Sequence, residues 1–124
     1  MKQPISAGAT KLPFSLAIRA NNFLFVSGQA SVDLKTGEIV PGTFAEEMER
    51  AISNMRHIVE RGGGHWKDVV KVTSYVRRDS DLAEYNRLFV NFFSEPYPAR
   101  TTLTNCLPTT ILFEIDCIAE LSNE

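Results

Sequence analysis

The chain of 124 residues predicts an α+β fold in one domain, residues 1–124: a mixed β-sheet with two helices packed on one face. Three observations lead there. Met48, Ala51, Ile52, Met55, Ile58 and Val59, and again Leu82, Tyr85, Leu88, Phe89, Phe92 and Phe93, place apolar residues at helical spacing along a single stripe. The segments 69–77 and 111–119 alternate as half-buried strands do. The element order is strand, strand, helix, strand, helix, strand, strand, and helices with one apolar stripe each bury it on a common sheet face.

Composition fits this picture and removes several functions. A 44% hydrophobic and 23% charged content is that of an ordinary globular chain, and 124 residues supply one core. The net charge of −2, without a basic block in either half, argues against nucleic acid as a partner. The longest apolar run, Phe23-Leu24-Phe25-Val26, is too short to span a bilayer, so no membrane is expected. Met1-Lys2-Gln3-Pro4 leads into no apolar secretory core, which points to a cytoplasmic protein. Cys106 and Cys117 lack CxxC spacing and read as two reduced, mostly buried thiols. His57 and His65 lie eight apart with no nearby cysteine, so no metal is expected.

In chain order, residues 1–14 read as an irregular arm. Residues 15–20 form a short strand, and Asn21-Asn22 a turn, since asparagine tolerates left-handed geometry. Residues 23–27 read as a strand buried on both faces. Gly28, which follows, marks a bulge, a close backbone approach or simply a turn. Residues 33–38 make a polar turn at a hairpin tip. Thr43-x-x-Glu46 is a capping box that starts the first helix, and Gly62-Gly63-Gly64 stops it. No Lys-Ser/Thr follows those glycines, so they form no phosphate loop. On the strand 69–77, Val70, Val72, Ser74 and Val76 share one face and Lys71, Thr73, Tyr75 and Arg77 the other. Asp79-Ser80-Asp81 caps the second helix, with Asn86 on the edge of its stripe, where a bond to a neighbouring loop is the plainest role.

Pro96-Tyr97-Pro98-Ala99-Arg100-Thr101-Thr102 follows. Two prolines hold the chain extended and deliver an arginine on a stiff lead-in. A guanidinium suits two-toothed carboxylate recognition, although taken alone this segment reads as a surface salt bridge. After a turn at residues 105–108, the last strand puts Glu114 and Asp116 on one face, roughly 7 Å apart. That face is the one away from the helices. Acids there need a wet cleft or a subunit interface.

The chain resembles the RidA/YjgF family of small enamine/imine deaminases over nearly its whole length, from about Leu12 to Glu120. The resemblance rests on Phe25-Val26-Ser27-Gly28-Gln29, Asp33-x-x-Thr36-Gly37-Glu38, Asp68-Val69-Val70-Lys71-Val72-Thr73, the helix Leu82 to Phe93 with Tyr85-Asn86, Pro98-Ala99-Arg100, and Glu114-Ile115-Asp116-x-Ile118-Ala119. It implies a chorismate-mutase-like fold and a homotrimer with clefts between adjacent subunits. It implies Arg100 as the anchor of a substrate carboxylate and Glu114 as the residue that positions the attacking water. Gly28 would line the cleft, with Phe14, Asn86, Thr101 and Thr102 as further substrate contacts, and Asp116 would be structural. Where the family often carries Gly-Pro-Tyr-Ser-Gln, this chain has Leu12-Pro13-Phe14-Ser15-Leu16, so a hydroxyl is absent. Thr102 stands where many members carry cysteine.

Hydrolysis of 2-imino acids to 2-oxo acids and ammonia is the implied reaction, on substrates of the 2-aminoacrylate or 2-iminobutanoate type. It needs no cofactor, because positioning supplies much of the catalysis. Two alternatives stay open. One is a pathway-specific deaminase of an aminomuconate- or aminoacrylate-like intermediate, suggested by the less polar Phe14, Leu16 and Thr102. The other is a non-catalytic trimeric module that binds small carboxylates.

Overall fold

The computed structural model describes residues 1–6 and 12–122. Among these residues one sheet holds six strands: β1 (Gln3–Ile5), β2 (Ala17–Ala20), β3 (Phe23–Ala30), β4 (Val69–Val76), β5 (Ala99–Thr104) and β6 (Phe113–Glu120). Helix α1 (Phe44–Arg61) follows β3, and α2 (Leu82–Phe92) joins β4 to β5. The strand order is β1-β2-β3-β6-β4-β5, so the last strand in sequence is central and β5 is an edge. Only β4 and β5 run parallel, because α2 carries the chain back to the start of the next strand. The other pairs are antiparallel.

Both helices bury their stripe on one face, as the single stripes require. Met48, Ala51, Met55, Ile58 and Val59 of α1 are fully buried, as are Tyr85 of α2 and Phe113 and Ile115 of β6. The capping box is present: the Thr43 N–H donates to Glu46 Oε1 at 2.8 Å, and the Glu46 N–H to Thr43 Oγ1 at 3.2 Å. Gly63, with φ +93°, turns the chain out of the helix in a conformation that only glycine adopts without strain. Asn21 takes φ 53° between β2 and β3, and the Asp33 carboxylate caps its turn through the N–H groups of Lys35 and Thr36.

Several expectations need correction. The arm contains a strand: β1 pairs with β2 through Gln3 to Ile5, while residues 7–11 lie outside the described residues. β3 is not buried on both faces. Leu24 and Val26 face α1, whereas Phe23 and Phe25 are 39% and 44% exposed on the other side of the sheet. Val70 leaves the inward set of β4, because a register break between Val69 and Lys71 inserts one residue against β6, and Val69 is buried instead. Residues 79–81 form a 3-10 turn. The Asp81 carboxylate pairs with Arg78 Nε at 2.9 Å and makes no cap bond to α2. Of the two free thiols, Cys117 is buried but Cys106 is exposed.

Two buried polar residues fasten the strands that carry the site. Glu47 of α1 accepts the Leu112 N–H on one oxygen, at 3.1 Å, and the Gly42 N–H on the other, at 3.2 Å, which fixes the chain entering β6. Asn54 Nδ2 donates to the carbonyls of Ala30 (3.2 Å) and Val32 (2.9 Å), which ties the end of β3 to α1.

Candidate active site

The expected site residues fall into two groups on opposite faces of the sheet. Arg100 and Thr102 point to the helix face of β5. The Arg100 guanidinium carbon lies 4.9 Å from the Phe89 ring centroid and 5.2 Å from that of Tyr85, and Thr102 Oγ1 is 3.3 Å from the Tyr85 hydroxyl. The two rings sit one helical turn apart on α2 and form a seat that holds the cation by its face, leaving its N–H fork free. Among the described residues no carboxylate pairs with Arg100, so the surface salt bridge suggested by the local sequence is absent. An open groove of ≈ 290 Å³ runs beside it, walled by Asn86, Phe89, Val90, Tyr97 and Pro98. The Asn86 amide makes no bond to a loop among the described residues and lies in this groove with Arg100.

Glu114 belongs to the other face. It pairs across β6 with Tyr75 on one side and Ala30 on the other. β3 carries a bulge there, since the pairing advances three residues from Val26 to Gln29 while β6 advances two. The bulge turns Gly28 toward Glu114, and a Cβ at position 28 would collide with Glu114 Oε2. Gly28 is therefore both a bulge residue and a close approach, and its turn reading is set aside. Glu114 is half-buried, and burial pushes its carboxyl above the usual carboxylate range, with the Asp116 charge adding to the shift. Asp116, on the same face, accepts a hydrogen bond from the Tyr75 hydroxyl at 2.8 Å. Burial and that bond push the Tyr75 phenol up to about 12.

Glu114 and Gly28 line a pocket of ≈ 200 Å³ whose other walls include Phe14, Leu16, Val32 and Leu34. Thr101 faces neither opening; its hydroxyl accepts from Lys71 Nζ at 3.1 Å on the outer face. Arg100 is level with Cys117 through Val72, and Glu114 is level with Leu103 through Tyr75. The two residues are thus three positions and two strands apart, about 14 Å between backbones before their opposite orientation is counted. One chain does not bring them together.

The sequence reading gave no role to the aromatic seat under Arg100 or to Tyr97. The spacing of Tyr85 and Phe89 held the signal for the seat, but it was absorbed into the core stripe. Among the described residues no three His, Cys, Asp or Glu side chains gather as a metal site. No described helix is long and apolar enough to cross a membrane.

Residues 4–121 match the family described as endoribonuclease L-PSP. A RutC family protein of Pyrococcus horikoshii is 41% identical over 108 residues, covering 86% of each chain. A 2-iminobutanoate/2-iminopropanoate deaminase of Dermatophagoides farinae is 36% identical over 107 residues, covering 86% of this chain and 84% of that one. The crystal structure of RidA from an Antarctic Psychrobacter superposes with a TM-score of 0.85 at 35% identity, covering 96% of this chain and 99% of that one.

Proposed function

This chain belongs to the endoribonuclease L-PSP family, to which the RidA/YjgF proteins belong, and on that premise we propose that it is an enamine/imine deaminase that hydrolyses 2-imino acids to 2-oxo acids and ammonia. One observation carries the reading: among the described residues Arg100 is a cation without a carboxylate partner and Glu114 a half-buried carboxylate without a hydrogen-bond donor, each in its own opening. A 2-imino acid offers the complement to both.

Arg100 would hold the substrate carboxylate through two parallel charge-assisted bonds, as its fork geometry favours, with Asn86 beside it. Glu114 would take a proton from a water that attacks the C=N carbon, giving a carbinolamine. The same carboxyl would hand that proton to the imine nitrogen, then take the carbinol O–H proton and pass it to nitrogen as the C–N bond breaks, so that ammonia leaves and the carbinol oxygen becomes the new carbonyl. No electron changes hands, so the reaction requires no cofactor. A carboxyl raised by burial is a stronger base than a free one, which suits proton abstraction.

Because Arg100 and Glu114 lie on opposite faces of one chain, the reading places the reaction between two subunits of a closed homotrimer, Arg100 of one beside Glu114 of the next. The apolar, exposed Phe23 and Phe25 on the outer sheet face support such an assembly. The small charged substrate also agrees with a net charge of −2, which disfavours the polyanion that the family's ribonuclease description suggests.

The test generates 2-iminobutanoate in situ and follows its decay. Acceleration over buffer that Arg100→Ala removes supports the reading. No acceleration, or equal acceleration by the variant, overturns it; saturable binding of 2-oxobutanoate without turnover would then favour a binding module.

A further inference from the structure

We propose that the pocket beside Glu114 is a side-chain subsite that selects 2-imino acids with branched-alkyl or benzyl substituents over those carrying methyl or ethyl. The inference rests on the deaminase reading and adds the substrate class to it. Six of the residues lining this pocket are apolar: Leu12, Phe14, Leu16, Ala30, Val32 and Leu34. They come from three segments, the arm, the end of β3 and the turn after it, and they converge on the opening where Glu114 stands. Of these, Leu12 and Phe14 are exposed by 67% and 47%, an unusual amount for large apolar side chains lining a concavity. The floor is not soft: the Asn54 amide holds the carbonyls of Ala30 and Val32, and Ser31 Oγ donates to the Val40 carbonyl at 2.6 Å.

Size sets the occupant. A cavity of ≈ 200 Å³ exceeds the roughly 150 Å³ that suffices for benzene in an apolar protein interior. A substrate carbon attacked by a Glu114-bound water stands at the pocket mouth, so its substituent is the part that enters. A methyl group would leave most of the wall wet, and each further methylene moved from water onto it is worth about four-fold in kcat/KM. Going from methyl to isobutyl adds three carbons, and a preference of roughly tens-fold follows from the same per-carbon value. Among the described residues Glu114 and Asp33 of the turn are the pocket's carboxylates and no cationic side chain lines it, so a substituent carrying a second carboxylate is disfavoured.

The experiment compares kcat/KM for imines produced in situ by an amino acid oxidase from alanine, leucine and phenylalanine, on the wild type, Leu34→Trp and Phe14→Ser. The expected result is a leucine- or phenylalanine-to-alanine ratio of ten or more in the wild type. Leu34→Trp, which fills the space, and Phe14→Ser, which makes its wall polar, each lower that ratio several-fold by independent means. Turnover of the alanine-derived imine with a ratio of one or less, or a ratio that both variants leave unchanged, overturns the subsite while the deaminase reading stands. That outcome would mean a neighbouring subunit fills the pocket. Acceleration of none of the imines overturns both.

Discussion

Arg100 stands on the edge strand β5, exposed and seated on two rings, whereas Glu114 stands on the central strand β6, half-buried and, among the described residues, without a hydrogen-bond donor. The edge holds the guanidinium by a contact that leaves its donors open. The centre strips water from the carboxylate and raises its affinity for a proton. A permanent anion-binding group and a tunable base thus sit in the environments that suit each, at the cost of lying on opposite faces of one sheet. What unites them in the proposed reaction is a second chain.

The largest expected effect breaks the central half. Glu114→Gln should lower kcat by roughly 10²–10⁴-fold, the range for loss of a general base. Its stability should move the other way. The folded-state pKa of Glu114 is raised, so ionisation favours the unfolded chain, and the penalty grows as pH rises through that pKa. Removing the charge should therefore leave the melting temperature at pH 7 equal to or above that of the wild type. Below the ordinary carboxylate range, where the carboxyl is protonated in both the folded and the unfolded chain, the difference should vanish. A variant that is inactive and also less stable at pH 7 would make Glu114 a structural residue.

Next in size is the edge half. Arg100→Ala should cost about 10²-fold in kcat/KM through lost positioning, with Arg100→Lys recovering only part because it lacks the planar fork. Stability should change by no more than about 1 kcal/mol, the worth of an exposed cation–π contact. A larger loss in denaturant titration would show that the guanidinium clamps β5 to α2.

The union of the halves is tested by mixing. Inactive Arg100→Ala and Glu114→Gln chains, unfolded together and refolded, should regain activity, because a closed ring places an intact Arg100 beside an intact Glu114 in roughly a quarter of its clefts. No recovery would mean that the two residues act within one chain, which the register of β4, β5 and β6 makes hard to picture.

These halves were unequally legible in the sequence. The strand alternation of Glu114, Ile115 and Asp116 announced two acids facing away from the helices, and the structure places them so. The stiff Pro98-Ala99-Arg100 lead-in announced an arginine at the start of β5. Two things stayed hidden for physical reasons. A register break such as the one at Val70 depends on the partner strand, and a period-two pattern read from one strand cannot reveal it. Pairing across space is equally invisible: nothing in the local sequence of Glu47 or Asn54 says that their side chains will be buried on the backbone groups of residues 112, 42, 30 and 32. Gly28 lies between these cases. Its sequence allowed a bulge, but only the fold shows that the side chain lying against it is that of Glu114.

The smallest effect sharpens the account of the acid itself. Burial is the larger cause of the raised Glu114 pKa and the Asp116 charge the smaller, so the two can be separated. Asp116→Asn removes a negative neighbour while leaving Glu114 buried. The acid limb of the kcat/KM profile should then move to lower pH without returning to that of a free carboxyl, and the plateau should stay within a few-fold of the wild type. The substitution also removes a charged acceptor from the Tyr75 hydroxyl, so Tyr75→Phe serves as the control. It loses the same hydrogen bond but keeps the Asp116 charge, and its acid limb should stay in place. If both variants move the limb equally, the hydrogen bond and not the charge sets the basicity of Glu114. If neither does, burial alone sets it, and Asp116 serves only to brace β4 against β6.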